Sequence, residues 1–260
     1  MLKTEDFERE LKRLVAEIPV GADRWLDSYR KGRQDGSGCS SSINRQVRAF
    51  FLYRTYAETG SRFLDWGCRQ AWTSCMVRMV NQEAAIEGCD IAESIPESTR
   101  NFAGMTYTQL QHPWKLPYAD NSFDRVICSG VLEHVPLLNS SLIELNRVTQ
   151  SGGFLLITFL PNQFSYTEFV SRNLLKRSWH RRLYTKGQLK TKLLEHGFDP
   201  VKVGFHQFLP SLTSGHNFQS AWAERAVQTI FKLDPLAERI WPLKLFGANI
   251  YAIARKSDYM

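Results

Sequence analysis

The chain contains no long apolar run, since none of its stretches reaches the roughly 18 consecutive apolar residues that a membrane-spanning helix requires. Residues 1–14 are rich in charge and lack the apolar stretch of a signal peptide. The five cysteines form no Cys-x-x-Cys pair, so the sequence indicates neither a disulfide framework nor a metal site. We therefore expect a cytoplasmic protein without a bound metal.

Internal repeats and low-complexity segments are also lacking. Hydrophobic residues make up 43% of the 260 residues and charged residues 23%, which is the balance of an ordinary globular protein with a substantial core. The net charge of +7 favours an anionic partner. No dedicated nucleic-acid-binding motif accompanies that charge, so we do not expect a nucleic acid to be the partner.

The stretch 61–71, SRFLDWGCRQA, predicts a strand, a tight turn and a helix. A short apolar run leads to Asp65 and Gly67, after which Ala71 and Cys75 begin a helical spacing of apolar residues. A turn of this kind directs backbone N–H groups and a helix N-terminus at the space above the strand end. Nucleotide-like cofactors bind there in open α/β sheets, although an ordinary strand-to-helix turn is the alternative interpretation.

A second predicted strand, residues 84–89, ends on Asp90. Doubly wound nucleotide folds place an acid about 20 residues beyond the glycine turn, where it accepts hydrogen bonds from the ribose hydroxyls. A carboxylate suits that role because it accepts hydrogen bonds and offers no donor. A solvated turn residue is the alternative interpretation of Asp90.

Residues 116–136 read LPYADNSFDRVICSGVLEHVP and predict a turn, a buried strand and a break at Ser129 and Gly130. Here the sequence resembles the class I S-adenosylmethionine-dependent methyltransferases. The likeness is to their small-molecule, methyltransferase type 11 group, whose fourth-strand region reads LPF-x-D-x-SFD-x-V followed by L-E-H. Together with FLDWGC and EGCDIAES, the resemblance covers roughly residues 60–160. It implies S-adenosyl-L-methionine as cofactor and S-adenosyl-L-homocysteine as product.

The alternation of strands and helices predicts an α/β fold with a mainly parallel sheet. The resemblance implies a doubly wound, Rossmann-like, seven-stranded sheet with helices on both faces and an antiparallel last strand beside the sixth. We predict four segments: an N-terminal helical cap (1–58), a cofactor-binding domain (59–208), a helical insert (209–246), and the last strand with the tail (247–260). Within them we predict a first helix with one apolar face, a third helix over about residues 43–57, and a late helix that begins with a Thr185–Gln188 capping box.

The strand-end spacing and the resemblance together give the candidate cofactor contacts. These are Asp65, Gly67, Cys68, Arg69, Asp90, Ile91, Gln111, His112, Trp114, Ser129 and Gly130. Two positions depart from the family pattern. Arg69 replaces the middle glycine of the turn, and Gln111 with His112 stands where the family usually has an acid that contacts the adenine amine. Because S-adenosylmethionine has no pyrophosphate, Arg69 counts more heavily against NAD or FAD than against the methyl donor.

His134 follows the fourth strand, where the sheet of the resembling family opens towards the substrate. A histidine can act as a base near neutral pH, so His134 is the candidate catalytic residue. The alternative is that Glu133 and His134 only shape the cofactor pocket.

The segment 162–186 mixes aromatic and basic side chains and follows the fifth strand, near the acceptor in this fold. It suits an anionic acceptor that is a small molecule, a glycan or a lipid-linked molecule. The candidate acceptor contacts are Tyr166, His180, Arg181 and Arg182, with Trp222 of the insert. The alternative is a solvated basic helix face.

The insert is more apolar than a surface connection needs, with Phe218 and Trp222 at helical spacing. It is either a helical pair packed on the sheet, a substrate cap, a homodimer surface or a peripheral membrane contact. We expect a methyltransferase that acts at oxygen. The rivals are a non-catalytic cofactor-binding module, which Arg69 and His112 favour, an NAD-dependent enzyme, which Arg69 disfavours, and a peripheral membrane-interaction protein.

Overall fold

The computed structural model describes residues 2–21, 27, 40–173, 180, 182–207, 240 and 243–258. Its helices are α1 (Thr4–Ala16), α2 (Ser40–Phe51), α3 (Arg54–Thr59), α4 (Trp72–Val80), α5 (Glu97–Ala103), α6 (Leu138–Val148), α7 (Tyr166–Asn173) and α8 (Lys186–Glu195). Its strands are β1 (Arg62–Trp66), β2 (Ala85–Asp90), β3 (Thr106–Gln109), β4 (Phe123–Ser129), β5 (Thr149–Pro161), β6 (Phe198–His206) and β7 (Asn249–Lys256). Most of the predicted insert, with Phe218 and Trp222, lies outside the described residues, and so does Arg181.

The strands form a seven-stranded sheet in the order β3-β2-β1-β4-β5-β7-β6. Strands β1 to β5 pair in parallel, whereas β7 runs antiparallel between β5 and β6. Helices alternate with the parallel strands along the chain, as doubly wound folds require. The predicted fold class and the antiparallel insertion of the last strand are confirmed.

The pairing brings four strand ends to one edge of the sheet. Trp66 at the end of β1 pairs with Cys89 of β2 and Cys128 of β4, and Ser129 pairs with Thr158 of β5. The chain crosses from β1 outward to β2 on one side and returns to β4 on the other. The residues that follow these strands therefore surround the crevice where the strand order reverses.

Two hydrophobic clusters cover the two faces of the sheet, because successive strand residues point to opposite faces. One cluster includes large buried side chains from α1, α2, α4 and β1, namely Phe7, Phe50, Met76 and Phe63. The other includes side chains from α6, α8 and β5, namely Leu145, Leu189 and Leu155. The N-terminal helices thus share a core with the sheet, and their separation as a cap over residues 1–58 stays a prediction.

The apolar face predicted for the first helix and the capping box predicted for the last helix are confirmed, whereas one other helix prediction is wrong. The buried face of α1 and the Thr185–Gln188 capping box of α8 are present. The single helix predicted over residues 43–57 is instead α2 and α3. Tyr53 leaves the helical region (φ −131°, ψ 13°) and its ring packs edge-on against Phe50, with the centroids 5.3 Å apart. Burying that ring favours the break between the helices.

None of the described helices is both long and apolar enough to cross a lipid bilayer. The cysteines within the described part of the chain are buried free thiols, namely Cys68, Cys75, Cys89 and Cys128. The cytoplasmic location stays a prediction.

Candidate active site

A cleft of about 260 Å³ opens where β1 and β4 lie side by side. The turns after β1 and β4, the residue Phe159 of β5, and the helices α2 and α4 form its walls. It is lined by Ser42, Arg45, Gln46, Asp65, Gly67, Cys68, Arg69, Gln70, Trp72, Thr73, Ser129, Gly130, His134 and Phe159. Seven residues predicted at separate places in the sequence are thereby brought together: Asp65, Gly67, Cys68, Arg69, Ser129, Gly130 and His134.

The turn after β1 presents bare backbone to the cleft. Gly67 has φ +74°, and its N–H donates to the carbonyl oxygen of Cys89 at 2.7 Å. A Cβ at Gly67 would lie only 2.4 Å from Cγ2 of Val131, so no side chain fits there. Arg69 and Ala71 also adopt left-handed backbone conformations (φ +41° and +56°). Such conformations are costly for residues other than glycine and cluster at ligand-binding sites.

Asp65 lies beneath this turn, with only 2% of its surface exposed. The hydroxyl of Ser74 donates to its Oδ2 at 2.7 Å. Burial is the main cause that raises the pKa of Asp65 to about 6; the hydrogen bonds from Ser74 oppose this shift, and the charge of Asp90 adds to it. The carboxyl group is therefore ionised for the most part at neutral pH, which gives the floor of the cleft a negative charge.

The carboxylate of Asp90 is held beside the same turn. The backbone N–H of Arg69 donates to its Oδ2 at 3.2 Å, and the N–H of Ala92 donates to its Oδ1 at 3.1 Å. These two bonds fix the orientation of the carboxylate. Each oxygen can accept a second hydrogen bond, which is the capacity that a pair of ribose hydroxyls requires.

Asp90 is not itself among the residues that line the cleft. Four further predicted cofactor contacts also lie outside that lining: Ile91, Gln111, His112 and Trp114. The N–H of Leu110 donates to the carbonyl oxygen of Asp90 at 2.7 Å, which fixes the start of this loop next to β2. The rings of His112 and Trp114 stack, with their centroids 5.1 Å apart and their planes 18° apart. The structure thus places an aromatic pair on the β3 side of Asp90.

The turn after β4 carries the predicted base. Gly130 N–H donates to the carbonyl oxygen of Thr158 at 3.0 Å, which joins this turn to the end of β5. The His134 side chain lines the cleft while 58% of it stays exposed. Its pKa is lowered by partial burial and by the positive charges of His180 and Arg69. The imidazole is therefore neutral at pH 7 and can accept a proton.

Glu133, the neighbour of the predicted base, is 3% exposed. Burial raises its pKa to about 7. Its Oε1 lies 3.6 Å from Nε2 of His134, and its Oε2 has no hydrogen-bond partner among the described residues. The carboxyl group therefore changes charge near neutral pH, close to the residue predicted to take a proton.

The segment after β5 brings a second histidine to this place. The rings of His180 and His134 are neighbours, with their centroids 6.0 Å apart and their planes tilted by 40°. His180 Nδ1 lies 2.7 Å from Oε1 of Glu168, and Arg172 Nε donates to the other carboxylate oxygen at 3.2 Å. Tyr166, at the start of the same helix, is half-buried and does not line the cleft.

Arg182 has a role that sequence reasoning did not anticipate. Its guanidinium donates to the carbonyl oxygens of Val135 and Pro136, the latter at 2.7 Å. It thus ties the segment after β5 to the loop after β4. These two hydrogen bonds are enough to explain the position of the Arg182 side chain. The binding of a methyl acceptor by Arg182 stays a prediction.

Sequence reasoning missed part of the cleft. Ser42, Arg45 and Gln46 share one face of α2 and cover the opening. These residues are three and four positions apart, so a search of the sequence for polar faces of helices would have found them. Phe159 gives no such signal, because its place in the cleft depends on how β5 pairs with β7.

The groups at the cleft fit S-adenosylmethionine. Gly67 offers a backbone cradle with no room for a Cβ, and Asp90 offers acceptors for a ribose. Arg69 occupies the position where a dinucleotide would need bare backbone near its pyrophosphate. The chemistry of this donor set therefore suits the methyl donor better than NAD or FAD.

Comparisons with known proteins agree with this geometry. Residues 64–157 match the family model described as "Methyltransferase domain". The demethylmenaquinone methyltransferase of Geobacillus stearothermophilus is 32% identical over 125 residues, which cover 45% of this chain and 53% of that protein. The chain spans about half the length of the curated relatives it matches.

Solved structures share the fold. A S-adenosylmethionine-dependent methyltransferase from Archaeoglobus fulgidus aligns with TM-score 0.57 and 21% identity, covering 90% of this chain and 100% of the other. The 1,6-didemethyltoxoflavin-N1-methyltransferase of Burkholderia thailandensis, solved with its substrate and S-adenosylhomocysteine, aligns with TM-score 0.54 and 14% identity, covering 99% and 92%. The sequence match over residues 64–157, the strand order and the glycine turn agree, and this part of the chain is similar to the methyltransferase domain of the class I S-adenosylmethionine-dependent family.

Proposed function

We propose that this protein transfers a methyl group from S-adenosylmethionine to a hydroxyl group of a small-molecule acceptor. The observation that carries the proposal is the shared cleft, because the glycine turn and the His134 imidazole line the same space. The names of the curated relatives, demethylmenaquinone methyltransferases, support a small-molecule acceptor.

The residues of the chain divide into a donor side and an acceptor side. When bound, S-adenosylmethionine supplies an activated methyl group and a good leaving group. On the donor side, Asp90 accepts hydrogen bonds from the ribose, and the turn at Gly67 holds the cofactor against its backbone. On the acceptor side, His134 takes the proton of the hydroxyl group. The protein thereby aligns the acceptor oxygen with the methyl group, and the loss of the proton makes that oxygen a stronger nucleophile.

We further propose that the acceptor is anionic when it reacts. Arg45 and Arg69 line the cleft, and the chain has a net charge of +7. Positive charge near the acceptor oxygen favours its deprotonated form, which supports the proton transfer to His134. A hydroxyl group of low pKa, such as that of a phenol, gains most from this arrangement.

A variant without the Asp90 carboxylate, which is proposed to bind the ribose hydroxyls, tests the cofactor side of the site. We expect Asp90→Ala to weaken S-adenosylhomocysteine binding by about 1–3 kcal/mol, because the ribose hydroxyls lose a charged partner. Isothermal titration calorimetry of the purified chain measures this change. Glu93→Ala is the matched control, since it removes an exposed negative charge near Asp90. Equal affinities of the Asp90 variant and the wild type would reject the role of Asp90.

Removing the base tests the acceptor side. We expect His134→Ala to lower turnover by about 10²–10⁴-fold, the usual contribution of a general base, with S-adenosylhomocysteine affinity within about threefold of the wild type. S-adenosylhomocysteine release is measured with 1,4-dihydroxynaphthalene as the probe. His196→Ala is the control, because His196 lies after α8 with its Nδ1 2.8 Å from the carbonyl oxygen of Lys192. If wild type and His134→Ala turn over equally fast, His134 is not the base.

A further inference from the structure

Strand β5 contains a bulge at the cleft. Ile157 pairs with Ala252 and Leu160 with Ile250, so two residues of β5, Thr158 and Phe159, oppose a single residue of β7. Bulges of this kind bend a strand and redirect a side chain. Here the bulge turns the partly exposed ring of Phe159 into the lining of the cleft.

The backbone of Phe159 has a left-handed conformation, with φ +61°. This region is unusual for a bulky residue, and it persists only where the surroundings hold it. Phe159 lies at the end of the strand that approaches the turn after β4, through the bond from Gly130 to Thr158. The strained residue is therefore next to the turn that leads to His134.

A buried histidine holds this conformation. The N–H of Phe159 donates to Nε2 of His206 at 3.3 Å, and the two rings pack edge-on with centroids 5.2 Å apart. His206 ends β6 and is 3% exposed. Burial, together with the positive charges of the neighbouring Arg45 and Arg48, lowers its pKa to about 3, so the ring stays neutral and Nε2 can accept the bond. The His206 ring thus supplies the hydrogen-bond acceptor for the Phe159 N–H at the bulge.

Arg45 completes the surroundings of the ring. Its guanidinium carbon lies 5.8 Å from the centroid of Phe159, and both residues line the cleft. Arg45 therefore lies over one face of the ring, and the part of the ring that lines the cleft offers offset or edge contacts to a flat, unsaturated ring. Such contacts are weaker for a puckered saturated ring of the same size, which cannot approach the face evenly.

We propose that His206 is a positioning residue that fixes the Phe159 ring as a wall of the acceptor site, and that the acceptor is a planar aromatic or quinoid ring bearing the reactive hydroxyl group. This inference rests on the proposed function, whose acceptor class it narrows. The donor side does not depend on it, so the two can fail separately.

The test uses the full chain saturated with S-adenosylhomocysteine and titrates it with 2-naphthol. We expect Phe159→Ala and His206→Phe to weaken 2-naphthol binding by about tenfold or more, with S-adenosylhomocysteine affinity within about threefold. His206→Gln keeps a neutral acceptor near the position of Nε2 and is expected to retain wild-type binding within about threefold. Decahydro-2-naphthol, the saturated counterpart, is expected to bind the wild type about tenfold more weakly than 2-naphthol.

Several results would overturn the inference. Unchanged 2-naphthol affinity in Phe159→Ala, or equal affinities of the wild type for the planar and the saturated probe, would remove Phe159 as an acceptor wall. An equal loss of S-adenosylhomocysteine affinity in His206→Phe would make His206 a general packing residue. Should His206→Phe fail to fold, the Phe159→Ala and His206→Gln variants decide. A wild type that binds no S-adenosylhomocysteine would instead reject the proposed function.

Discussion

Glu133→Gln is expected to raise the free energy of unfolding by roughly 3 kcal/mol at about pH 8 and to change it little near pH 4.5. Burial raises the pKa of Glu133 from 4.5 to about 7. A carboxyl group with a raised pKa in the folded state favours folding only while it is protonated. Its stabilising effect is therefore complete below pH 4.5 and is lost as the pH rises through 7. Glutamine cannot ionise, so it keeps the neutral form throughout.

Urea unfolding of the two proteins at both pH values measures this difference. Glu144→Gln is the control of opposite sign, because Arg147 and the N–H of Leu116 hold the pKa of Glu144 below its usual value. Its removal is expected to lower stability at pH 8. A Glu133→Gln effect of the same size at both pH values would mean that ionisation is not its cause.

The loss of stability when Glu133 ionises is related to its position beside the proposed base. Its Oε1 lies 3.6 Å from the His134 ring, so its charge acts on the proposed base. A negative charge at this distance favours the protonated imidazole that the proposed proton transfer would form. Destabilising groups of this kind persist at active sites, where electrostatics matter more than stability.

The donor side of the cleft could be predicted from sequence because local rules determine it. Gly67 and Asp90 each follow a short apolar strand, and parallel pairing of β1 with β2 necessarily brings their ends together. His134 could be placed in the same way, because it lies shortly after β4. Residues directly after parallel strands are therefore the ones whose place is known once the strand order is known.

The acceptor side depends on contacts between residues far apart in sequence. Phe159 enters the cleft because β7 pairs with a bulge and because His206, at the end of another strand, accepts its N–H. No local pattern encodes either condition. Arg182 shows the converse, since basic composition suggested an acceptor contact while the guanidinium bonds to backbone carbonyls.

Gly67→Ala is expected to weaken S-adenosylhomocysteine binding by about 30-fold or more, equivalent to roughly 2 kcal/mol. The new Cβ would lie 2.4 Å from Cγ2 of Val131, and the alanine backbone would have to adopt φ +74°. The backbone conformation alone costs about 1–2 kcal/mol for an L-residue, and crowding adds about 1–3 kcal/mol. The turn can relieve both only by moving away from the geometry that holds the cofactor. Calorimetric titration and the unfolding free energy together measure the effect.

Two further variants separate the causes of that loss. Val131→Ala removes the crowded methyl groups, so Gly67→Ala combined with Val131→Ala should recover the crowding part of the affinity and keep the backbone part. Gly104→Ala is the matched control for backbone strain, since Gly104 has φ +57° but its Cβ would meet only Arg78, at 3.5 Å, away from the cleft. It should lower the free energy of unfolding by about 1–2 kcal/mol and leave S-adenosylhomocysteine binding unchanged. If Gly67→Ala binds as tightly as the wild type, this turn does not hold the cofactor; if Val131→Ala restores nothing, crowding at Val131 is not the reason that only glycine fits.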